Sequence, residues 1–193
     1  MAGACVAKPT AVFPSKQPSD PPLTDEPLGV VFEAAKLWEA AKPTAAGVPS
    51  ANFVKAALAT GDVFDALGMG VVNGDVFGNA AKIEKNIQVQ VQADGVTLEQ
   101  MVEKELEVAA KVWNGQAAAK VALEGSTSLA LLWLNRFLAF MEGTLAAMQA
   151  NDATPLRQCV QAGYDKGLKR HHGFVVRGAF AVVMKTVPER QQF

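Results

Sequence analysis

The chain has 193 residues, 18 basic and 19 acidic side chains, a formal net charge of −1 and 50% apolar residues. A near-neutral protein has no general attraction to nucleic-acid phosphates, and this apolar content is too high for an intrinsically disordered chain. No uninterrupted apolar stretch reaches the roughly 18 residues that a membrane span requires. These figures predict a single globular domain, with the cytoplasm as its default location.

The N-terminal segment is predicted to be a flexible tail covering residues 1–27. Six of the ten prolines fall there, and proline fixes φ and removes a backbone donor, which disfavours regular structure. The pattern then changes, and residues 28–193 are predicted to form one all-α domain. Its first helix is expected over Leu28–Lys42, with apolar residues Val31, Leu37 and Trp38.

Apolar residues at helical spacing predict further helices along the rest of the chain. The predicted ranges are Ser50–Leu67, Asn73–Gln90, 98–113, Leu129–Ala150, 155–172 and Phe174–Lys185. Thr97 and Gln100 form a capping box that predicts the start of the third of these. The alternating run Ile87–Gln92 has strand propensity, but it continues a helical stretch and is assigned to the helix. Whether Gly173 separates the last two helices stays open, so six or seven are expected.

Sequence motifs of catalysis and metal binding are absent. The chain has no GxSxG, HExxH or Walker motif, and no GxGxxG that follows a strand. His171 and His172 are adjacent, so on a helix they point about 100° apart and cannot jointly hold one metal. Cys5 and Cys159 show no metal or disulfide spacing and are interpreted as free thiols. The sequence predicts no enzyme activity, no metal and no cofactor.

A polar stripe is the first feature that could bind a ligand. Asp75, Asn79 and Lys82 stand at i, i+4 and i+7, so all three project from one helix face. A carboxylate, an amide and an ammonium together offer acceptors and donors to a polyhydroxylated group. An ordinary exposed stripe without function would show the same spacing.

Trp133 and His172 are the other candidate binding residues. Trp133 lies in a leucine-rich stretch, where tryptophan normally packs in the core, although it could also be a flat platform on which a sugar ring stacks. His172 precedes Gly173 and Phe174, and a buried histidine is more often a satisfied core residue than a ligand contact. Neither residue decides the matter alone.

Taken together and in order, these motifs resemble the glycolipid transfer protein family. The resemblance rests on D-x-x-x-N-x-x-K at Asp75–Lys82, L-x-x-x-W-L at Leu129–Leu134 and H-G-aromatic at His172–Phe174, and it covers roughly Phe53–Phe193. It implies an all-α, two-layer helical sandwich. Such a protein binds one sphingolipid, with the headgroup at a surface site and the chains in an apolar pocket. It moves the lipid between membranes without covalent chemistry.

The resemblance also implies a role for each matching residue. Asp75 would accept hydrogen bonds from the ceramide amide N–H and sugar hydroxyls, and Asn79 and Lys82 would contact sugar hydroxyls. Trp133 would be the stacking platform, and His172 would donate to the ceramide amide carbonyl. Leu129 and Phe180 would line the apolar pocket.

The headgroup is predicted to be a neutral sugar. A sister branch of the family looks to carry ceramide phosphate, with lysine in place of Asn79 and arginines in place of Trp133 and Phe137. A phosphate dianion favours such cations, whereas this sequence has an amide and two aromatic rings. A ceramide phosphate carrier or sensor and a helical adaptor that does not transfer lipid are the alternatives.

Two further expectations concern the pocket and the membrane. The family continues beyond the position of Phe193, so the chain is a fragment, has an open pocket, or closes it with the helix at Leu28–Lys42. The protein is expected to be a cytoplasmic monomer that docks transiently on membranes. The candidates for insertion are Trp113, Trp38 and Phe174.

Overall fold

The computed structural model describes residues 27–66, 70, 73–90, 95–112 and 124–189. These residues form seven α-helices and one short 3₁₀ helix, and none of them belongs to a named strand. In chain order the α-helices are α1 (Pro27–Ala40), α2 (Ser50–Ala66), α3 (Asn73–Gln90), α4 (Leu98–Val112), α5 (Thr127–Ala150), α6 (Leu156–Gly167) and α7 (Phe174–Val183). The all-α prediction is confirmed. The predicted tail lies outside the described residues, apart from Pro27, which begins α1.

Helix starts follow the capping residues in the sequence. The Thr97 backbone N–H donates to Gln100 Oε1 at 3.2 Å, and the Gln100 N–H donates to Thr97 Oγ1 at 3.3 Å, which confirms the capping box. Ser126 caps α5 by accepting a hydrogen bond from the Leu129 N–H at 3.1 Å. Glu105 of α4 adds a carboxylate at the same end of α5, where it accepts backbone N–H bonds.

The predicted helix over 155–172 is wrong at its C-terminal end. α6 stops at Gly167, and Lys169–His171 form a 3₁₀ turn. His172 then adopts an extended backbone with φ −90° and ψ 129°, so a separate helix, α7, begins at Phe174 with Gly173 as its N-cap. This break turns the His172 side chain back toward α6 instead of carrying it along the helix.

The main core joins α2, α3, α4, α5, α6 and α7. Phe64 of α2 packs against Phe137 and Phe140 of α5, with ring centroids 5.1 and 5.5 Å apart. Phe180 of α7 stacks on Tyr164 of α6 at 3.7 Å, with the rings 9° from parallel. These aromatic contacts connect α2 with α5 and α6 with α7. Together with the packing of α3 on α5 and of α5 on α6, they join the two layers of helices around one core.

α1 lies outside this core. It packs on α2 through a separate small cluster made of Val30, Ala34, Ala59 and Val63. α5, by contrast, is central. It is long and apolar enough to cross a membrane by composition, as the core helix of a soluble protein can also be. Four of its apolar residues are buried in the main core, namely Ala130, Leu134, Phe137 and Phe140.

Candidate functional site

The candidate functional site is a cavity of about 300 Å³ between α3, α5 and α7, here called the main cavity. Its walls are largely apolar, with three polar side chains among them. α3 contributes Gly74, Asp75, Val76 and Asn79; α5 contributes Trp133, Leu134 and Phe137; Leu168 and His172 flank the 3₁₀ turn; α7 contributes Val176, Ala179, Phe180 and Val183. Sequence positions about 100 residues apart therefore meet at one site.

Five of the seven predicted site residues line the main cavity. They are Asp75, Asn79, Trp133, His172 and Phe180. Lys82 of α3 does not line the cavity, but its Nζ donates to Asn79 Oδ1 at 3.3 Å. Leu129 does not line the cavity, because the wall formed by α5 runs from Trp133 toward Phe137, away from Leu129.

The α3 stripe presents an oriented amide beside an exposed carboxylate. Asn79 is 7% exposed, and its Nδ2 donates to the backbone carbonyl of Asp75 at 2.7 Å. Its Oδ1 accepts from Lys82, so both ends of the amide are fixed before any ligand arrives. The Asp75 side chain is exposed at the same edge of the cavity. The stripe thus combines a rigid amide, a carboxylate and an ammonium.

Trp133 contacts one neighbour on its own helix, α5, and one in the turn that precedes α7. The guanidinium carbon of Arg136 lies 4.6 Å from the indole centroid, which is a cation–π contact. The His172 ring lies 6.0 Å from the same indole and is inclined by 28° to it, a stacked arrangement. These contacts fix the orientation of a half-buried aromatic surface at the edge of an apolar cavity.

Tyr164 is hydrogen-bonded to His172. Its hydroxyl lies 3.1 Å from His172 Nδ1. Burial raises the pKa of Tyr164, so its hydroxyl keeps its proton. Burial also lowers the pKa of His172, against an opposing effect of Asp75, which favours the neutral ring. In the tautomer in which the Tyr164 hydroxyl donates to Nδ1, the ring proton lies on Nε2, which is then a donor.

Arg177 fixes the backbone that carries His172. Its Nε donates to the carbonyl oxygens of Lys169, at 3.0 Å, and His172, at 2.8 Å. Sequence reasoning missed both Arg177 and Tyr164. Both roles depend on the turn after α6, which the helical pattern does not reveal. The one available signal in the sequence is that Tyr164 is the single tyrosine of the chain.

The arrangement can hold an amphiphile that has both hydrogen-bond donors and acceptors. The carboxylate of Asp75 can accept, the His172 ring can donate in one of its two neutral tautomers, the indole of Trp133 offers a flat surface, and the remaining walls are apolar. Within the described ranges, no group of three or more His, Cys, Asp or Glu side chains could hold a metal ion.

Comparison with known proteins gives the family. The model of the glycolipid transfer protein (GLTP) family matches residues 48–193. Human pleckstrin homology domain-containing family A member 8 is 31% identical over 150 residues, which are 76% of this chain and 27% of that protein. The chain thus spans about a quarter of the length of these relatives. A glycolipid transfer protein of Aureobasidium melanogenum is 28% identical to this chain. The match covers 86% of this chain and 78% of that protein.

Solved structures agree with this assignment. FAPP2, described as selecting simple glycosphingolipids with the GLTP-fold, has a TM-score of 0.63 at 28% identity, covering 78% of this chain and 68% of that one. Arabidopsis ACD11, solved as a mutant with ceramide-1-phosphate, has a TM-score of 0.59 at 20% identity over 85% of this chain and 76% of its own. The second likeness shows the fold alone. Since the family model covers most of the sequence and the fold is the same, the chain belongs to the glycolipid transfer protein family.

Proposed function

We propose that this protein binds a glycosphingolipid, with its sugar at the mouth of the main cavity and its hydrocarbon inside, and transfers it between membranes. One observation carries the proposal: Asp75, Asn79, Trp133 and His172 meet at the edge of a cavity whose other walls are largely apolar. No covalent step is needed to explain these side chains, so the protein is proposed to be a carrier and not an enzyme.

The ceramide amide accounts for the pair formed by Asp75 and His172. An amide withdrawn from water without partners costs about 1–3 kcal/mol. The Asp75 carboxylate would accept from the amide N–H, and His172 Nε2 would donate to the amide carbonyl. Tyr164 supports this division of roles, because a Tyr164 hydroxyl that donates to Nδ1 leaves the ring proton on Nε2. Each buried methylene of the ceramide would add about 0.8 kcal/mol.

A neutral sugar fits the headgroup position better than a phosphate. A phosphate dianion would require cations at the cavity surface. The cavity positions in question hold Asn79, Trp133 and Phe137. The nearby cations, Lys82 and Arg136, are engaged with Asn79 and with the Trp133 ring and do not line the cavity. The relative described as selecting simple glycosphingolipids supports the same choice.

The outer face of α7 is the proposed site of transient membrane contact. Phe174 is 92% exposed and Val175 is 81% exposed, and both lie on the helix that lines the cavity with its other face. Trp38, another candidate, is half-buried and bonded to Thr60, while Trp113 lies outside the described residues. An apolar face beside the cavity mouth suits a monomeric cytoplasmic carrier that meets membranes briefly.

The test is transfer of fluorescent galactosylceramide between vesicles, run beside fluorescent ceramide phosphate. We expect transfer of the glycolipid and a loss of about tenfold in Trp133→Ala, since stacking is worth about 0.5–1.5 kcal/mol beyond the buried area. Leu132→Ala is the matched control, because Leu132 is 44% exposed and is not among the cavity residues. Faster transfer of ceramide phosphate would favour the phosphosphingolipid alternative. Transfer of neither lipid would favour the adaptor.

A further inference from the structure

We infer that the indole of Trp38 closes an extension of the main cavity and thereby limits the length of hydrocarbon chain that the protein accepts. A narrow crevice, here called the Trp38 crevice, lies between α1, α2 and α5. It shares Val76, Leu134 and Phe137 with the main cavity, so the two spaces are adjacent, and in this structure the crevice is too narrow to hold a water molecule. The inference rests on the proposed function, because it assigns an occupant to that space.

The size of the main cavity calls for an extension. Its volume of about 300 Å³ is at the lower end of the range of roughly 300–1,000 Å³ found for small-molecule sites. A ceramide with two long chains is larger than the ligands of such sites. A bound chain must therefore open further space. The Trp38 crevice is apolar apart from Thr60 and the indole N–H, and it continues directly from the cavity wall.

Trp38 is held in the crevice by specific contacts. Its Nε1 donates to Thr60 Oγ1 at 3.0 Å, and Thr60 is 2% exposed. The Thr60 hydroxyl in turn donates to the Ala56 carbonyl at 2.9 Å. Phe53 meets the indole edge-on, with centroids 5.6 Å apart and planes at 85°. A buried hydrogen bond and an aromatic contact thus fix the ring as one end of the crevice.

The helix that carries Trp38 lies outside the range matched by the family model. That range begins at residue 48, after α1 has ended. α1 packs on α2 through its own cluster, and its Trp38 enters the crevice. A length limit at Trp38 is therefore separate from the proposed headgroup residues on α3 and α5.

The first experiment measures equilibrium binding of galactosylceramides with N-acyl chains of eight, sixteen and twenty-four carbons. In the unmodified chain we expect affinity to stop rising beyond the intermediate length. In Trp38→Ala it should keep rising, since each further buried methylene is worth about fourfold in affinity. The ratio of affinities for the longest and intermediate chains should increase at least about tenfold. A ratio within about twofold of the unmodified chain, in a folded variant, overturns the inference.

Two further variants separate the length limit from damage to the fold. Phe32→Ala is the matched control, because Phe32 lies on α1, is 65% exposed and does not line the crevice; its ratio should be unchanged. Thr60→Val removes the acceptor for the indole N–H with little change in shape, and should raise the ratio about fivefold. If Trp38→Ala does not fold, Thr60→Val decides, and an unchanged ratio there overturns the inference.

A lipid-free measurement keeps this inference distinct from the proposed function. Apolar cavities made by truncation bind small apolar molecules, so indole should bind Trp38→Ala and not the unmodified chain or Phe32→Ala. If galactosylceramide of every length fails to bind the unmodified chain, the proposed function fails while indole binding still tests the crevice. Absence of indole binding to the folded Trp38→Ala variant overturns the crevice assignment. Added indole should also restore the original length limit.

Discussion

A close contact between α5 and α6 predicts that one glycine-to-alanine substitution is strongly destabilising. Gly163 of α6 faces α5, and a methyl group on it would lie 2.8 Å from the Thr144 backbone nitrogen and closer still to the Phe140 carbonyl. Carbon atoms and their neighbours are normally about 3.5–4.0 Å apart, so the helices would have to separate by about 1 Å. Backbone atoms cannot move aside as a flexible side chain would.

The magnitude follows from two opposing contributions. Overpacking costs about 1–3 kcal/mol, and the upper end applies because backbone must move. In the opposite direction, the higher helix propensity of alanine over glycine stabilises the fold by about 0.8–1 kcal/mol. Gly163→Ala should therefore lower the free energy of unfolding by about 2 kcal/mol. In a chain of this size that corresponds to a fall in Tm of about 4–8 °C.

A matched variant on α7 isolates the helix contact. Gly178 has no atom within 4 Å of the position that a methyl group would take, so Gly178→Ala should raise Tm by about 2 °C through helix propensity alone. Thermal unfolding followed by circular dichroism measures both variants. A Tm of Gly163→Ala at or above that of the unmodified protein would refute the reasoning. Gly163→Ala should also slow lipid transfer, because α5 and α6 position Trp133 and Tyr164.

Three further predictions concern the site and its supporting elements. Tyr164→Phe keeps the stacking on Phe180 but loses the bond to Nδ1 of His172, so glycolipid affinity should fall about fivefold by equilibrium binding; unchanged affinity would contradict the assigned tautomer. Burial holds the pKa of His172 below its ordinary value of 6.5, so the unfolded chain binds the proton more readily and the free energy of unfolding should fall as pH decreases below about 6.5. In His172→Gln, the free energy of unfolding measured in urea should depend less on pH than in the unmodified protein. An identical pH profile in the two proteins would argue against a buried neutral His172 ring. Because His171 is present in both proteins, its titration does not affect the comparison. Glu105→Gln should lower the free energy of unfolding by about 1 kcal/mol, because the carboxylate at the start of α5 is lost, and an unchanged urea midpoint would show that the charge contributes nothing.

The parts of the site that lie on one helix could be predicted from the sequence. Asp75, Asn79 and Lys82 share a face because their spacing matches the helical repeat, and the structure keeps them together. Leu129, by contrast, was assigned to the pocket from the family resemblance and not from spacing. It is not among the residues that line the main cavity, which begins one helical turn further along α5, at Trp133.

The parts that depend on a change of backbone direction could not be predicted. The bond between Tyr164 and His172 needs the helix to end at Gly167, and the apolar pattern runs on through that position. Trp38 appeared in the sequence as one apolar residue of an N-terminal helix. Its contact with Thr60 comes from the packing of α1 on α2, which no local pattern determines.

α7 has one face in the main cavity and the other in solvent. Val176, Ala179 and Phe180 line the cavity, while Val175 and Val182 of the same ten-residue helix are 81% and 62% exposed. A membrane that contacts the outer face and a ligand that fills the cavity therefore both contact the same helix, α7. No other structural element is needed to couple the two binding events. Thermodynamic linkage makes such an effect reciprocal: if docking on a bilayer changes the affinity for lipid by some factor, loading with lipid changes the affinity for the bilayer by the same factor. Empty and loaded forms of the protein would then divide differently between membrane and solution.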